Sequence, residues 1–270
     1  MASSALFPTI DTDGAQTITA ACGCNIGRRR NRNEDNFLFN GIYMPVDHEN
    51  LANIPQVQLS LDKDCSFAVF DGIGGGDHGE IASFAAAETA KNYLDCFENT
   101  GSDPEALLKR LCDEMNNAVF RKEVERDSYT MGSTVAGLYF RGSKVWTWNL
   151  GDSRCFLLRE GILSQISVDH TDEAYMRENG ITGRKPYLTQ YLGVNPEEMR
   201  IAPSVQSLKV KKNDCFLICS DGVTDMVARE DLVRMMSEET GPNESVQMII
   251  DAALDAGGRD NITAIVIRAT

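Results

Sequence analysis

Four times in this sequence an acidic residue stands at the end of an apolar run. Phe67-Ala68-Val69-Phe70 leads into Asp71-Gly72, and residues 215–220 lead into Asp221-Gly222. Residues 146–151 lead into Asp152, and Asp260-Asn261 opens the run 262–267. Asp-Gly is a favoured hairpin turn, so each acid taken singly reads as a turn residue. Both Asp-Gly pairs, however, lead toward a helix or a Gly-rich loop rather than a partner strand, and four recurrences at rigid strand ends favour one shared site. Carboxylates held close together raise one another's pKa and lose hydration. A divalent cation relieves both costs. All-oxygen ligation without a His or Cys cluster points to Mg²⁺ or Mn²⁺. Two such ions are the apparatus for in-line displacement at phosphorus.

A basic segment supplies the complementary grip on an anion. Arg28-Arg29-Arg30-Asn31-Arg32 precedes the acid pair Glu34-Asp35. It reads either as a solvated turn or as an arginine clamp on phosphate beside the metal acids. The three histidines, His48, His78 and His170, are scattered, and no G-x-S-x-G elbow is present. The eight cysteines form no C-x-x-C pair and several lie inside apolar runs, so they read as buried thiols without disulfides.

The elements that must position these acids follow from periodicity. Residues 17–24 alternate and read as a strand, and 67–70 reads as a short buried strand. Residues 41–64, with Pro45 and Pro55, read as a long loop or hairpin excursion. Helical spacing follows over 79–97 and again from Pro104, with Ser102 or Asp103 as cap. Strands are expected over 133–140, 144–150, 154–159, 162–168, 204–210, 215–219 and 262–267, and helices over 229–239 and 243–256. Trp146, Trp148 and Leu150 fall on one strand face. Residues 169–200 lose periodicity and read as a flap. Meandering strands interrupted by paired helices predict an α+β fold of antiparallel sheets with helices outside.

Composition bounds the partners. With 40 acidic and 26 basic residues the formal charge is −14, which disfavours nucleic acid and anionic lipid. No apolar stretch has the length of a membrane span, and the first residues carry no basic, apolar leader. The expectation is a cytoplasmic protein.

In order and spacing the acids resemble the metal-dependent type 2C protein serine/threonine phosphatases, bacterial branch. The motifs are Arg30-x-x-x-Glu34-Asp35, Asp71-Gly72-Ile73-Gly74-Gly75-x-x-x-Gly79-Glu80 and Gly132-Ser133-Thr134. They continue with Gly151-Asp152-Ser153-Arg154, Ser220-Asp221-Gly222-x-x-Asp225 and Asp260-Asn261-x-Thr263. The resemblance runs from about residue 17 to 268. It implies a central β-sandwich of two antiparallel sheets flanked by helix pairs, a single phosphatase domain over 1–270, and a short flap at 169–200. It implies two core Mn²⁺ or Mg²⁺ ions, bridged by Asp71, with the Gly72 carbonyl on one and Asp221 and Asp260 on the other. Glu34 and Asp35 would hold metal-bound waters, a weaker third ion would lie between Asp152 and Asp221, and Arg30 would orient the phosphate. Gly74, Gly75 and Gly79 would let the backbone pass close to the cluster.

The expected reaction is hydrolysis of protein phosphoserine and phosphothreonine by direct attack of a water bridging two metal ions, with no phosphoenzyme. The expected partner is a phosphorylated protein from a Ser/Thr kinase pathway, with no nucleic acid and no membrane. A catalytically silent binding module and a small-metabolite phosphatase are the alternatives. The chain departs from the family where Gly76-Asp77-His78 replaces a His directly after Gly-Gly, and where Ile73 follows Asp-Gly. No histidine is therefore assigned as general acid.

Overall fold

A computed structural model describes residues 14–73, 78–97, 102–128, 130–237 and 239–270. The described strands form two antiparallel sheets. The first has the order β3 (Gln56–Ser60), β1 (Thr17–Asn25), β12 (Ile262–Ala269), β11 (Cys215–Cys219), β8 (Arg154–Arg159), β9 (Ile162–Gln165). The second runs β10 (Ser204–Lys209), β7 (Lys144–Leu150), β6 (Val135–Arg141), β4 (Cys65–Ile73), β2 (Asp35–Phe39), with β5 (Gly132–Ser133) pairing the end of β4.

Strands buried on both faces explain the apolar runs. In β4, Phe67 and Val69 enter the core between the sheets, while Ala68 and Phe70 face the helices. In β11, Phe216 and Ile218 point inward and Leu217 points outward. Such strands read as continuous hydrophobic sequence rather than as alternation. Phe67, Phe140 and Phe216 bridge the inner core edge to face, at centroid spacings of 6.2 and 5.6 Å. Cys22 and Cys24 both face this core, as their spacing predicts.

Each outer face is covered by helices, giving four layers. α1 (Gly79–Phe97) and α2 (Pro104–Glu125) pack on the second sheet through Ala82, Ala86, Leu108, Leu111 and Met115. Asp103 caps α2 by accepting from the Ala106 amide at 3.1 Å, and Pro104 opens its first turn. α5 (Arg229–Met235) and α6 (Pro242–Asp255) cover the first sheet through Leu232, Val246 and Ile249. Trp146, Trp148 and Leu150 all lie against the α1–α2 side.

Some expectations need correction. Residues 41–64, read as a loop or hairpin excursion, contain β3, which pairs with β1 as an edge strand rather than with a hairpin partner of its own. β2 was not expected. It begins in polar residues, and its buried Asn36 is satisfied by both backbone groups of Met44 at 3.0 Å. The 162–168 strand ends at Gln165, and the 229–239 helix ends at Met235. The flap holds one short helix, α3 (Glu173–Glu178), and α4 (Asp221–Thr224) directly follows β11.

Gly137 on β6 lies under the buried Trp148 ring, and a Cβ there would come within 2.4 Å of it. Gly137→Ala is expected to destabilise the protein by about 1–3 kcal/mol through overpacking. Urea unfolding checks this, and Trp148→Phe in the same background should recover part of the loss.

Candidate metal centre

The acids meet at one end of the sandwich. Asp35 and Asp71 are paired across β2 and β4, and Gly72 pairs with Ser133. Asp221 follows β11, Asp152 follows β7 and Asp260 precedes β12. The side chains of Arg30, Glu34, Asp71, Asp152, Asp221 and Asp260 line one open cleft of about 1040 Å³. A smaller cavity of about 200 Å³, lined by Asp64, Ser66 and Tyr139, lies at the far end of β4.

Several of the quoted motifs brace this centre. The Asp71 backbone is held on both sides by Thr134, whose amide donates to the Asp71 carbonyl at 2.8 Å and whose hydroxyl accepts from the Asp71 amide at 3.1 Å. The Thr134 hydroxyl also meets the Ser153 hydroxyl at 2.7 Å. Asp35 is buried and accepts from Ser220 at 2.7 Å. Arg154, next to Ser153, is held by Asp169 at 2.6 Å.

Asn261 performs a task the sequence did not disclose. Its side-chain oxygen accepts from the Glu34 amide, and its amide nitrogen donates to the Ile26 and Arg32 carbonyls, all between 2.8 and 3.0 Å. It thereby fixes the arginine-rich segment beside Asp260. Only its place after Asp260 could have signalled this.

The electrostatics are those of crowded, poorly hydrated carboxylates. Burial first, and then the charges of Asp221, Asp35, Asp260 and Asp152, hold Asp71 well above the usual carboxylate range. Burial pushes Asp35 up to about 7 against opposing hydrogen bonds from Thr263 and Ser220. Burial and then Asp221 push Asp152 up to about 6. Glu34 and Asp221 are also raised by burial, with Arg30 and Lys185 respectively working in the opposite direction.

Protein cations partly answer this charge. Arg30 donates to Asp260 at 2.7 Å and lies 3.5 Å from Glu34. Lys185 pairs with Asp221, and with Asp225 at 3.0 Å. Among the described residues, no three acidic, His or Cys side chains are drawn into a finished metal cage. The residues nonetheless fit divalent ions, because the donor set is all oxygen and the backbone around it is packed without slack. A Cβ on Gly79 would sit 2.7 Å from Glu34 Oε1 and 3.0 Å from the Gly72 oxygen. A Cβ on Gly222 would sit 1.9 Å from the Asn261 oxygen. Gly74 and Gly75 lie outside the described residues. His170 is engaged structurally: Nδ1 accepts from the Gly151 amide at 3.2 Å, and Nε2 lies 2.9 Å from the Ser204 hydroxyl.

The chain is similar to known proteins over most of its length. A family model described as protein phosphatase 2C matches residues 56–255. The serine/threonine phosphatase Stp of Listeria monocytogenes is 29% identical over 255 residues, covering 89% of this chain and 92% of that protein. The Mycobacterium tuberculosis serine/threonine protein phosphatase PstP is 30% identical over 204 residues, which are 74% of this chain but 39% of PstP. The solved catalytic domain of a PstP in complex with two manganese ions superposes with a TM-score of 0.71 at 26% identity, covering 94% of this chain and 99% of that one.

Asp35, Asp71 and Asp152 have folded-state pKa values above the ordinary aspartate value. From about pH 4 to about pH 7, the metal-free folded protein therefore binds more protons than the unfolded chain, and its stability falls as pH rises. Thermal unfolding in EDTA should show the Tm dropping across this window, and saturating Mn²⁺ should flatten the dependence. An identical slope with and without Mn²⁺ would show that these acids do not face a common cation.

Proposed function

The chain belongs to the protein phosphatase 2C family, and on that premise we propose that its acidic cleft hydrolyses phosphoserine and phosphothreonine esters in proteins, with Mn²⁺ or Mg²⁺ as cofactor. The carrying observation is the convergence of Asp71, Asp152, Asp221 and Asp260 from four separate strand ends on one cleft, with Arg30 at its side. The names of the relatives, serine/threonine phosphatases, support the substrate class. The size of the cleft and the exposed Tyr187 on its wall suit a protein segment better than a small metabolite.

Asp71 and the Gly72 carbonyl, with Asp221 and Asp260, would hold two core ions. Glu34 and Asp35 would order water around them, and Asp152 with Asp221 would hold a weaker third. Ions bound there supply Lewis acidity toward the phosphoryl oxygens and lower the pKa of the attacking water. The chain's own residues orient the phosphate and hold the acids in place. Arg30, whose Nη2 now donates to Asp260, is positioned to exchange that contact for a phosphate oxygen. Thr134 fixes the backbone of Asp71, and Asn261 fixes that of Glu34. The motif residues place no Ser, Cys or His as a nucleophile, so the ester is hydrolysed directly.

The whole chain serves as one phosphatase domain with residues 169–200 as its flap, and it opposes a Ser/Thr kinase in the cytoplasm. No helix among the described residues is long and apolar enough to cross a membrane.

Activity on p-nitrophenyl phosphate and on a phosphothreonine peptide should vanish in EDTA and return with Mn²⁺ or Mg²⁺. Asp71→Asn should lose more than the ~10–100-fold typical of an outer partner of a metal ligand. Asp231→Asn, out on α5, should leave turnover within about twofold. Full turnover after exhaustive chelation would refute the metal-dependent reading.

Arg30→Ala should weaken transition-state binding by roughly 1.5–3 kcal/mol, read as about a 10- to 150-fold loss in kcat/KM. Arg29→Ala should cost far less. Equal losses would mean that general basicity, not a specific clamp, holds the phosphate.

A further inference from the structure

The flap brings a cation of its own to the metal end of the sandwich. Lys185 belongs to the 169–200 segment, yet its ammonium pairs with Asp221, and with Asp225 at 3.0 Å. Lys185 also lines the same cleft as Asp152. The flanking chain is arranged to present it. Arg184 turns the other way to pair with Asp172 at 2.5 Å and lies 4.0 Å over the Tyr187 ring. The Tyr187 amide donates to Asp172 at 2.7 Å. The base of the flap is held by Leu192, which exchanges backbone hydrogen bonds with Ser133. Among the described residues, Lys185 is the flap cation that ion-pairs with an acid of the cluster.

We propose that Lys185 is a built-in counter-ion of the outer carboxylates, so that docking of the flap tip and binding of a divalent ion between Asp152 and Asp221 oppose one another. This rests on the assignment of that outer ion made above. An ammonium and a divalent ion on one Asp221 carboxylate repel each other. Filling the outer site therefore weakens Lys185 docking and loosens the 184–188 strap. Linkage makes the relation reciprocal: a docked Lys185 weakens the outer ion by the factor by which that ion weakens docking. Asp221 also serves a core ion, but Asp71 and Asp260 make no ion pair with Lys185 among the described residues, so the outer ion, which rests on Asp152 and Asp221 alone, responds more than the core pair. The flap then senses whether the outer site is loaded, and the outer affinity depends on a residue in the flap.

The test is Mn²⁺ calorimetry on the full chain, with hydrogen exchange across residues 184–188, for wild type, Lys185→Met, Lys185→Arg and Asp152→Ala. Lys185→Met should tighten the weak binding step about three- to tenfold, as expected when a mostly docked competitor is removed. The tight steps should change by less than the weak one, and Lys185→Arg should restore wild-type affinity. In wild type, exchange over 184–188 should rise as the weak step fills; in Lys185→Met it should be high from the start. Equal weak-step affinity in wild type and Lys185→Met, or strap exchange indifferent to that step, overturns the proposal. Asp152→Ala should abolish the weak step alone. If it keeps that step, the outer-ion assignment fails, and the proposal with it; if it loses the step while Lys185→Met behaves as wild type, only the counter-ion role fails.

Discussion

Mutual repulsion among acids at one end of a β-sandwich is the constraint around which this molecule is built. Asp35 is buried, Asp71 and Asp221 are half-buried, and burial does more than any neighbour to disfavour their charge. Soft surroundings would let such groups drift apart into solvent. Here the strands beneath them are buried on both faces, and two sheets and two helix layers hold them in place. The packing energy of an ordinary hydrophobic core is thus turned to keeping like charges close.

The polar contacts around the cluster follow from that constraint. Thr134 grips the Asp71 backbone from both sides, and Asn261 ties Glu34 to the arginine-rich segment. Neither contact neutralises charge; each removes a way for the site to open. The cations Arg30 and Lys185 do the complementary work, one from the segment before β2 and one from the flap. Both are partly exposed and therefore able to leave their acids at modest cost.

Much of this was legible in the sequence because the site residues sit at strand ends. An acid that closes a doubly buried strand carries two signals, the apolar run and the break in it, and Asp71, Asp152 and Asp221 each carry both. The long helices α1, α2 and α6 were legible from their spacing and from Asp103-Pro104, whereas the short α3 and α4 were not. β2 was not, since its buried Asn36 looks like a loop residue until Met44 is seen to satisfy it. β3 hid behind Pro55 as an edge strand with one half-exposed face. The part played by Asn261 depends on carbonyls more than 200 positions away, and the Lys185 contact joins two segments with no shared pattern. Local periodicity carries no record of such contacts.

β12 lies at the centre of the first sheet, hydrogen-bonded to β1 on one side and β11 on the other. Asp260 and Asn261 stand immediately before it. A ribosome that has released everything through β11 has therefore made a chain whose first sheet is split in two and whose acidic cluster lacks a member. The acidic cluster is complete only when β12 fills the gap between β1 and β11 and joins both halves.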